Sequence, residues 1–335
     1  MIETMIEAVE AEMQAVLASE PSVDDTFFAM LQYHMGWVEA DHTPIGKGQA
    51  GKRIRPLLCL LSCAAAGGEW QKAVPAAAAA ELLHSFSLIH DDIQDQSPTR
   101  RGKPTVWKIW GAPQAINSGD AMLAYAHIAM SRLFERGVAP DVVVRALRRR
   151  DETCIELTKG QYADMSFEQR DDVTLDEYMQ MIKRKTSVLV ELCAELGALV
   201  AGQDEVTIQH FGQFGLNLGL AFQVKDDILG IWGDEAVIGK SAATDIETRK
   251  KTLPVLYGLA RHDGLRTLYQ QPTNQNGFVP QVITCLNEVG AREYAEKEAA
   301  AYSHNALHHL EAAAPTSEGY KTLYDLALKL LNRMA

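Results

Sequence analysis

Three aspartates, Asp91, Asp92 and Asp95, close the apolar run Leu82-Leu83-His84-Ser85-Phe86-Ser87-Leu88-Ile89-His90. On a helix, residues four apart lie one above the other, so Asp91 and Asp95 share a face. Like charges so placed repel by some tenths of a kcal/mol per pair, and a cation between them reverses the sign. Oxygen donors in twos and threes, with no companion Cys or His set, favour Mg²⁺, which keeps several waters and shares its coordination shell with substrate phosphate. A second pair, Asp226 and Asp227, closes another apolar run, after the small-residue stretch Gly215 to Ala221. Either cluster alone reads as a solvated helix end. Together, with the cations below, they read as a site.

Directly after the first cluster comes Arg100-Arg101-Gly102-Lys103-Pro104. Guanidinium groups bind phosphate bidentately, so a substrate with two phosphates can be gripped by arginine on one side and by carboxylate-bound Mg²⁺ on the other. Further cations stand at Lys52, Arg53 and Arg55, at Lys185 beside Thr186, at Lys240, and at Arg249-Lys250-Lys251. The net charge of −12 argues against a surface built for nucleic acid, so any phosphate site is local.

The elements that must hold these residues are helices. Apolar residues recur at intervals of three and four, as in Leu192, Leu196, Leu199 and Val200, whereas alternating strand-like runs are hard to find. Thr174 and Glu177 form a capping box that opens a helix predicted to run to about Ala201, where Gly202 stops it. Other breaks fall at Gly67-Gly68, Ser97-Pro98, Gly111 to Pro113, Gly137 to Pro140 and Gly233 to Gly239. None is a long linker, and no repeat or shift in composition marks a boundary, so residues 1–335 are expected to form a single all-α domain. The alanine run Ala76 to Ala80 serves either close helix approach or helix propensity alone. An apolar share of 47% with 23% charged residues suits a buried core. No run approaches the roughly 18 apolar residues that span a bilayer, and Met1 to Glu20 does not read as a secretory signal, so a cytoplasmic protein is expected. Five cysteines scattered through apolar segments suit reduced thiols, and Cys59 with Cys63 is read as core packing.

From Gly51 through Pro254 the motifs resemble, in order, those of the trans-isoprenyl diphosphate synthases, the family of farnesyl and geranylgeranyl diphosphate synthases. The resemblance implies an isoprenoid-synthase helical bundle around a central apolar cavity. It implies a prenyltransferase that condenses isopentenyl diphosphate with an allylic diphosphate, using three Mg²⁺ ions per active site. Asp91, Asp92 and Asp95 match the first aspartate-rich motif. Asp226 and Asp227 match the second, and Asp164 in Gly160-Gln161-Tyr162-Ala163-Asp164 matches a mid-chain acid that joins the metal site. By the same matching Lys52, Arg55, His84 and Arg101 hold isopentenyl diphosphate. Arg100, Lys185, Thr186, Gln223, Lys240 and Lys250 surround the allylic diphosphate. The expected catalytic set is Asp91, Asp92, Asp95, Arg100, Lys185, Asp226, Asp227 and Lys240. Asp245 looks like a further family acid near metal-bound water. One departure stands out: the second motif usually ends in a third aspartate, and Gly230 occupies that place, with Asp234 four residues on.

In this family the residues four and five before the first aspartate help close the product channel, and here they are Ser87 and Phe86. A single aromatic at the fifth position resembles the geranylgeranyl pattern; two adjacent aromatics would point to farnesyl diphosphate. His84 is expected as a diphosphate ligand and His90 as structural, with no protein base, because the resemblance sends the lost proton to the released pyrophosphate. A class I terpene cyclase shares the fold but leaves Lys52, Arg55, His84 and Arg101 without a purpose. A non-catalytic partner subunit should have lost its first metal cluster, which this chain retains. A homodimer is expected from the family, with the alanine-rich helices as interface material.

Overall fold

The computed structural model describes residues 1–18, 25–45, 51–233, 244–270, 277–313 and 318–332. The chain separates into two compact units. The first comprises Met1–Cys154, Leu192–Gly212 and Ala313–Leu323, the second Ile155–Glu191, Gln213–Ala312 and Tyr324–Ala335. The described residues are helical apart from turns and one two-stranded hairpin.

Unit 1 is organised on α4 (Val74–Gln94), which packs along α6 (Ala112–Ser131) and against α1 (Ile2–Leu17) and α3 (Ile54–Ala65). Pro75 sits in the first turn of α4, where its missing N–H has no intrahelical partner to lose. Ala76 to Ala80 are all 0% exposed. Along the same helix contact, α6 buries Ala115, Ser118, Gly119, Met122, Ala126 and Ala129 at helical spacing. The alanines therefore permit close helix approach inside this unit, and they are not free to form an interface with another chain. At the contact, a Cβ on Gly119 would lie 2.2 Å from His90 Nε2, so the glycine makes room for the imidazole. His90 is thus a packing residue of α4, as expected. The same core holds free, buried Cys59, Cys63 and Cys193, whose thiols burial pushes up in pKa.

Between α3 and α1 a charge is turned inward. Arg53 is 3% exposed and takes the left-handed conformation (φ 48°). Its guanidinium donates to Glu10 at 2.6 Å, to Glu81 at 2.7 Å and to the Met35 carbonyl at 3.1 Å. Glu81, which interrupts the apolar run of α4, is therefore the partner of a buried arginine. After α4 the chain turns through β1 (Thr99–Arg100) and β2 (Lys103–Pro104), paired antiparallel. The two residues between them, Arg101 (φ 53°) and Gly102 (φ 77°), both have the positive φ that a two-residue hairpin of the favoured twist requires. Unit 1 continues through α2 (Asp25–Met35), earlier in the chain, α5 (Val106–Trp110) and the start of α7 (Pro140–Phe167).

Unit 2 contains the rest of α7, α8 (Leu175–Ile182), and parts of α9 (Val188–Val200) and α10 (Glu205–Trp232). It also holds α11 (Thr244–Glu247), α12 (Leu253–Leu259), α13 (Asp263–Gln270), α14 (Phe278–Glu288) and α15 (Ala291–Ala313); α16 (Glu318–Leu331) is shared with unit 1. One of its apolar cores joins Tyr178, Ile182, Leu216, Leu220, Val224, Ile228, Leu253 and Ala295, and a second gathers Ile231, Ile246, Val255, Leu265, Phe278 and Val282. The predicted capping box is present: Thr174 Oγ1 accepts from the Glu177 N–H at 3.2 Å, and the Glu177 carboxylate accepts from the Thr174 N–H at 2.9 Å. Gly202 (φ 76°) ends the stretch. The helix between is not continuous, because Lys183–Ser187 form a π-turn. A Cβ on Gly160 would stand 2.4 Å from the Lys185 nitrogen, so α7 approaches the widened turn backbone to backbone. Such turns recur at functional sites, and this one carries Lys185 and Thr186. Among the described residues no helix is long and apolar enough to cross a membrane.

Candidate functional site

Each unit brings one of the two acidic clusters together with cations. In unit 1, Asp91 and Asp92 occupy the last turn of α4 and Asp95 caps it, with no basic residue in that turn. Carboxylates at a helix C-terminus oppose the macrodipole by about 0.3–1 kcal/mol each, so they need positive charge from elsewhere. Asp92 turns inward, 3% exposed, and takes a forked contact from Arg100, whose Nε donates at 2.9 and 3.0 Å to its two oxygens. Burial nevertheless raises the Asp92 pKa against the pull of Arg100. Asp95 is exposed and Asp91 half-buried.

Beside this fork lie cations of another kind. Among the described residues neither Arg55, on α3, nor Arg101, at the hairpin turn, makes an ion pair, and Arg55 Nε is buried without a hydrogen-bond partner. The Arg101 guanidinium rests against Gly51, where a Cβ would meet it at 3.0 to 3.1 Å. His84 is driven well below its ordinary pKa by burial and by Arg55, Arg101 and Arg100, so it stays neutral. Lys52 is exposed. In a chain of net charge −12, guanidinium groups gathered here without an ion-pair partner among the described residues have the chemistry to hold an anion. Further back on α4, Phe86 is 7% exposed and meets His90 edge-on at 4.8 Å, while Ser87 Oγ donates to the His84 carbonyl at 2.8 Å.

In unit 2, α7 supplies Asp164, the π-turn Lys185 and Thr186, and α10 Gln223, Asp226 and Asp227. Lys185 ion-pairs with Asp164. Asp226 is exposed, whereas Asp227 is 1% exposed and fully engaged. It accepts from the Tyr178 hydroxyl, from Gln223 Nε2 at 3.1 Å and from the Leu253 N–H at 3.2 Å, and Gln223 in turn accepts from Thr186 at 3.0 Å. The two clusters thus share a plan, one aspartate locked in the protein and another left toward solvent. Withdrawal from water works against the Lys250 ammonium, yet Asp245, Asp164, Asp227 and Asp226 outweigh it and raise its pKa. Its neighbours go elsewhere: Arg249 donates to the Tyr269 carbonyl and Lys251 to those of Phe167 and Arg170. Gly230 has a steric reason, since a Cβ there would lie 2.2 Å from Asp245 Oδ2. Lys240 and Asp234 lie outside the described residues.

Burial pushes the Asp227 carboxyl up to about 6, against the hydrogen bonds of Tyr178 and Gln223. A folded-state value above the unfolded one means that the folded protein binds the extra proton, so this group loses stability as pH rises from about 4 to about 6. In metal-free buffer, the Tm of Asp227→Asn relative to wild type should therefore shift in the variant's favour across that window and level off above it, as scanning calorimetry at stepped pH can check. A flat difference would mean that Asp227 is ionised throughout.

Tyr178 and His34 were not singled out from the sequence, since a lone residue inside an apolar helix carries no pattern that would reveal its partner, and Arg53, counted there among the cations, is instead buried against Glu10 and Glu81. As for a metal, among the described residues no three carboxylate, histidine or cysteine side chains form a ready cage. The donors are nonetheless all hard oxygens, and around Lys250 four carboxylates face two ammonium groups, those of Lys185 and Lys250 itself. That surplus of negative charge fits a cation that keeps its waters and is completed by substrate phosphate.

The polyprenyl synthetase family profile matches residues 45–286. The chain is 41% identical over 290 residues to geranylgeranyl diphosphate synthase of Mycobacterium tuberculosis, covering 85% of this chain and 81% of the relative. It is 36% identical over 318 residues to (2E,6E)-farnesyl diphosphate synthase of Mycobacterium bovis, covering 91% and 86%. Its structure resembles that of a polyprenyl synthetase from Streptomyces coelicolor A3(2), with a TM-score of 0.87 at 33% identity over 98% of both chains.

Proposed function

This chain belongs to the polyprenyl synthetase family, and from that premise we propose that it condenses isopentenyl diphosphate with an allylic diphosphate to linear geranylgeranyl diphosphate. The observation that supports this reading is the cationic cluster of unit 1, where Arg55, Arg101 and neutral His84 stand near the Asp92–Arg100 fork. A cyclase acting on one diphosphate has no use for that second grip.

Arg55, Arg101, His84 and Lys52 hold and orient isopentenyl diphosphate. By the family's motifs Arg100, Lys185, Thr186, Gln223, Lys240 and Lys250 take the diphosphate that leaves the allylic partner, stabilising the charge that develops on it. Three Mg²⁺ ions, held by Asp91, Asp95, Asp164 and Asp226, with Asp92 and Asp227 in support, would supply Lewis-acid stabilisation of the same charge. Asp227, locked by Tyr178 and Gln223, keeps α10 in register for Asp226. His84 is kept neutral by burial and by the nearby arginines and His90 is wedged at Gly119, so neither serves as base, and the proton passes to the released pyrophosphate. The enzyme works as a homodimer, for which exposed Ile155, Tyr162 and Met165 of α7 offer apolar surface.

Incubation with Mg²⁺, labelled isopentenyl diphosphate and dimethylallyl, geranyl or farnesyl diphosphate tests this reading. A twenty-carbon linear diphosphate is the expected product. A fifteen-carbon end product would favour the farnesyl alternative, which has the support of the 36% identical relative. Cyclic hydrocarbon made without isopentenyl diphosphate would replace the reading by a cyclase, and inactivity by a non-catalytic partner subunit. Phe86, buried and backed by His90, closes the product channel. Phe86→Ala should therefore lengthen the product, and unchanged chain length on chromatography would remove Phe86 from that role.

A further inference from the structure

The C-terminal end of α2 is tied to the hairpin at two points. The Tyr33 hydroxyl donates to the Pro104 carbonyl at 2.7 Å, and just past the helix Glu39 accepts from Lys103 at 2.8 Å. Tyr33 also meets Trp110 edge-on at 5.2 Å. Between these ties stands His34, on the wall of a cavity of about 380 Å³ whose charged lining is Asp92, Arg100, Arg101 and Lys103, with Tyr33 and Thr105 beside them.

Burial and the nearby Arg101, Arg100 and Arg53 hold His34 down to about 3, so its ring is neutral and keeps one N–H donor and one lone pair. Among the described residues that ring makes no hydrogen bond. Its charged neighbours on the wall are the donors Arg100, Arg101 and Lys103, the Tyr33 and Thr105 hydroxyls already donate to backbone carbonyls, and the one carboxylate, Asp92, is occupied by Arg100. A donor in a polar cavity rich in other donors calls for a ligand that only accepts. His84 lies close enough to feel His34, so α2, α3, α4 and the hairpin aim side chains at one place.

We infer that His34 is a further ligand of the diphosphate held by Arg55, Arg101 and His84, donating its ring N–H to a phosphate oxygen from the side of α2. The inference rests on the reading of unit 1 as the isopentenyl diphosphate site and adds a positioning contact from an element outside the matched motifs. Through it the substrate is held on a fourth side, and the fixed end of α2 becomes part of the binding surface.

Calorimetric titration of full-length protein with inorganic pyrophosphate under chelator, and with isopentenyl diphosphate under Mg²⁺, tests it. His34→Met keeps bulk without a donor and should weaken both ligands by about tenfold or more, the range of a hydrogen bond to a charged group. His34→Gln restores an N–H and should recover most of the affinity. In turnover, His34→Met should raise KM for isopentenyl diphosphate with kcat largely kept. Wild-type affinity in folded His34→Met would overturn the inference and leave the proposed function standing, and equal losses in both variants would reduce His34 to a space-filler. Failure of the wild type to bind either ligand would sink the site and the inference together.

Discussion

Chelation of divalent cations should take condensation below detection, and Mg²⁺ should restore it in the wild type but not in Asp226→Asn. The exposed carboxylate of Asp226 belongs to a group in which Asp164, Asp227 and Asp245 surround Lys250. Replacing one charged oxygen by an amide preserves size and leaves the buried bonds of Asp227 untouched, so the fold should survive. On the proposed function what is lost is charge that holds the cation at the leaving diphosphate, and removal of a preorganised electrostatic partner typically lowers kcat by about 10²–10³-fold. A Mg²⁺ titration separates the two contributions: the variant should need more cation for half-maximal rate and still reach a lower plateau. Full activity in excess chelator would exclude the metal role of both clusters.

Arg101→Ala should raise KM for isopentenyl diphosphate by about 10- to 100-fold, the range for charge-assisted hydrogen bonds of 1.5–3 kcal/mol. Among the described residues Arg101 has no ion pair to lose, and its guanidinium rests on the bare backbone of Gly51. Its removal therefore subtracts ligand contacts rather than fold stability. Lysine should rescue little, since an ammonium cannot reproduce the planar fork. On the proposed assignment KM for the allylic substrate should move far less, because Arg100 is assigned to that side and remains anchored by Asp92. Equal rises in both constants would mean that the two cationic sets are not separate, and no rise in either would remove Arg101 from the site.

Much of this was readable where the information is local. Asp91 and Asp95 fall on one face because a helix has a period near 3.6, and Thr174 with Glu177 announces a helix start by reciprocal bonds across one turn. Arg101-Gly102 marks a turn because two successive positive φ values suit few sequences. The illegible part depends on partners far along the chain. Tyr178 meets Asp227 across 49 residues, and Arg53 meets Glu81 across 28, so both looked like ordinary members of an apolar or basic run. The π-turn was invisible for another reason: Lys183 to Ser187 has acceptable helix propensity, and the widening accompanies the close backbone approach of Gly160. The alanines of α4 misled because composition does not say which face of which helix they will meet.

The place over α10 one turn beyond Asp226 is filled, but from outside the helix: Gly230 contributes only absence, and the carboxylate of Asp245 occupies the space a side chain there would need. Positions 230 and 245 are therefore a linked pair, and their substitutions should be strongly non-additive. Grafting an aspartate onto Gly230 to restore the usual motif would bring two like charges together and oblige the Asp245 side chain to swing aside, and shortening residue 245 at the same time would relieve both. Column-by-column comparison would score Gly230 as a loss and pass over position 245, whereas in the molecule the bare backbone of one makes room for the carboxylate of the other.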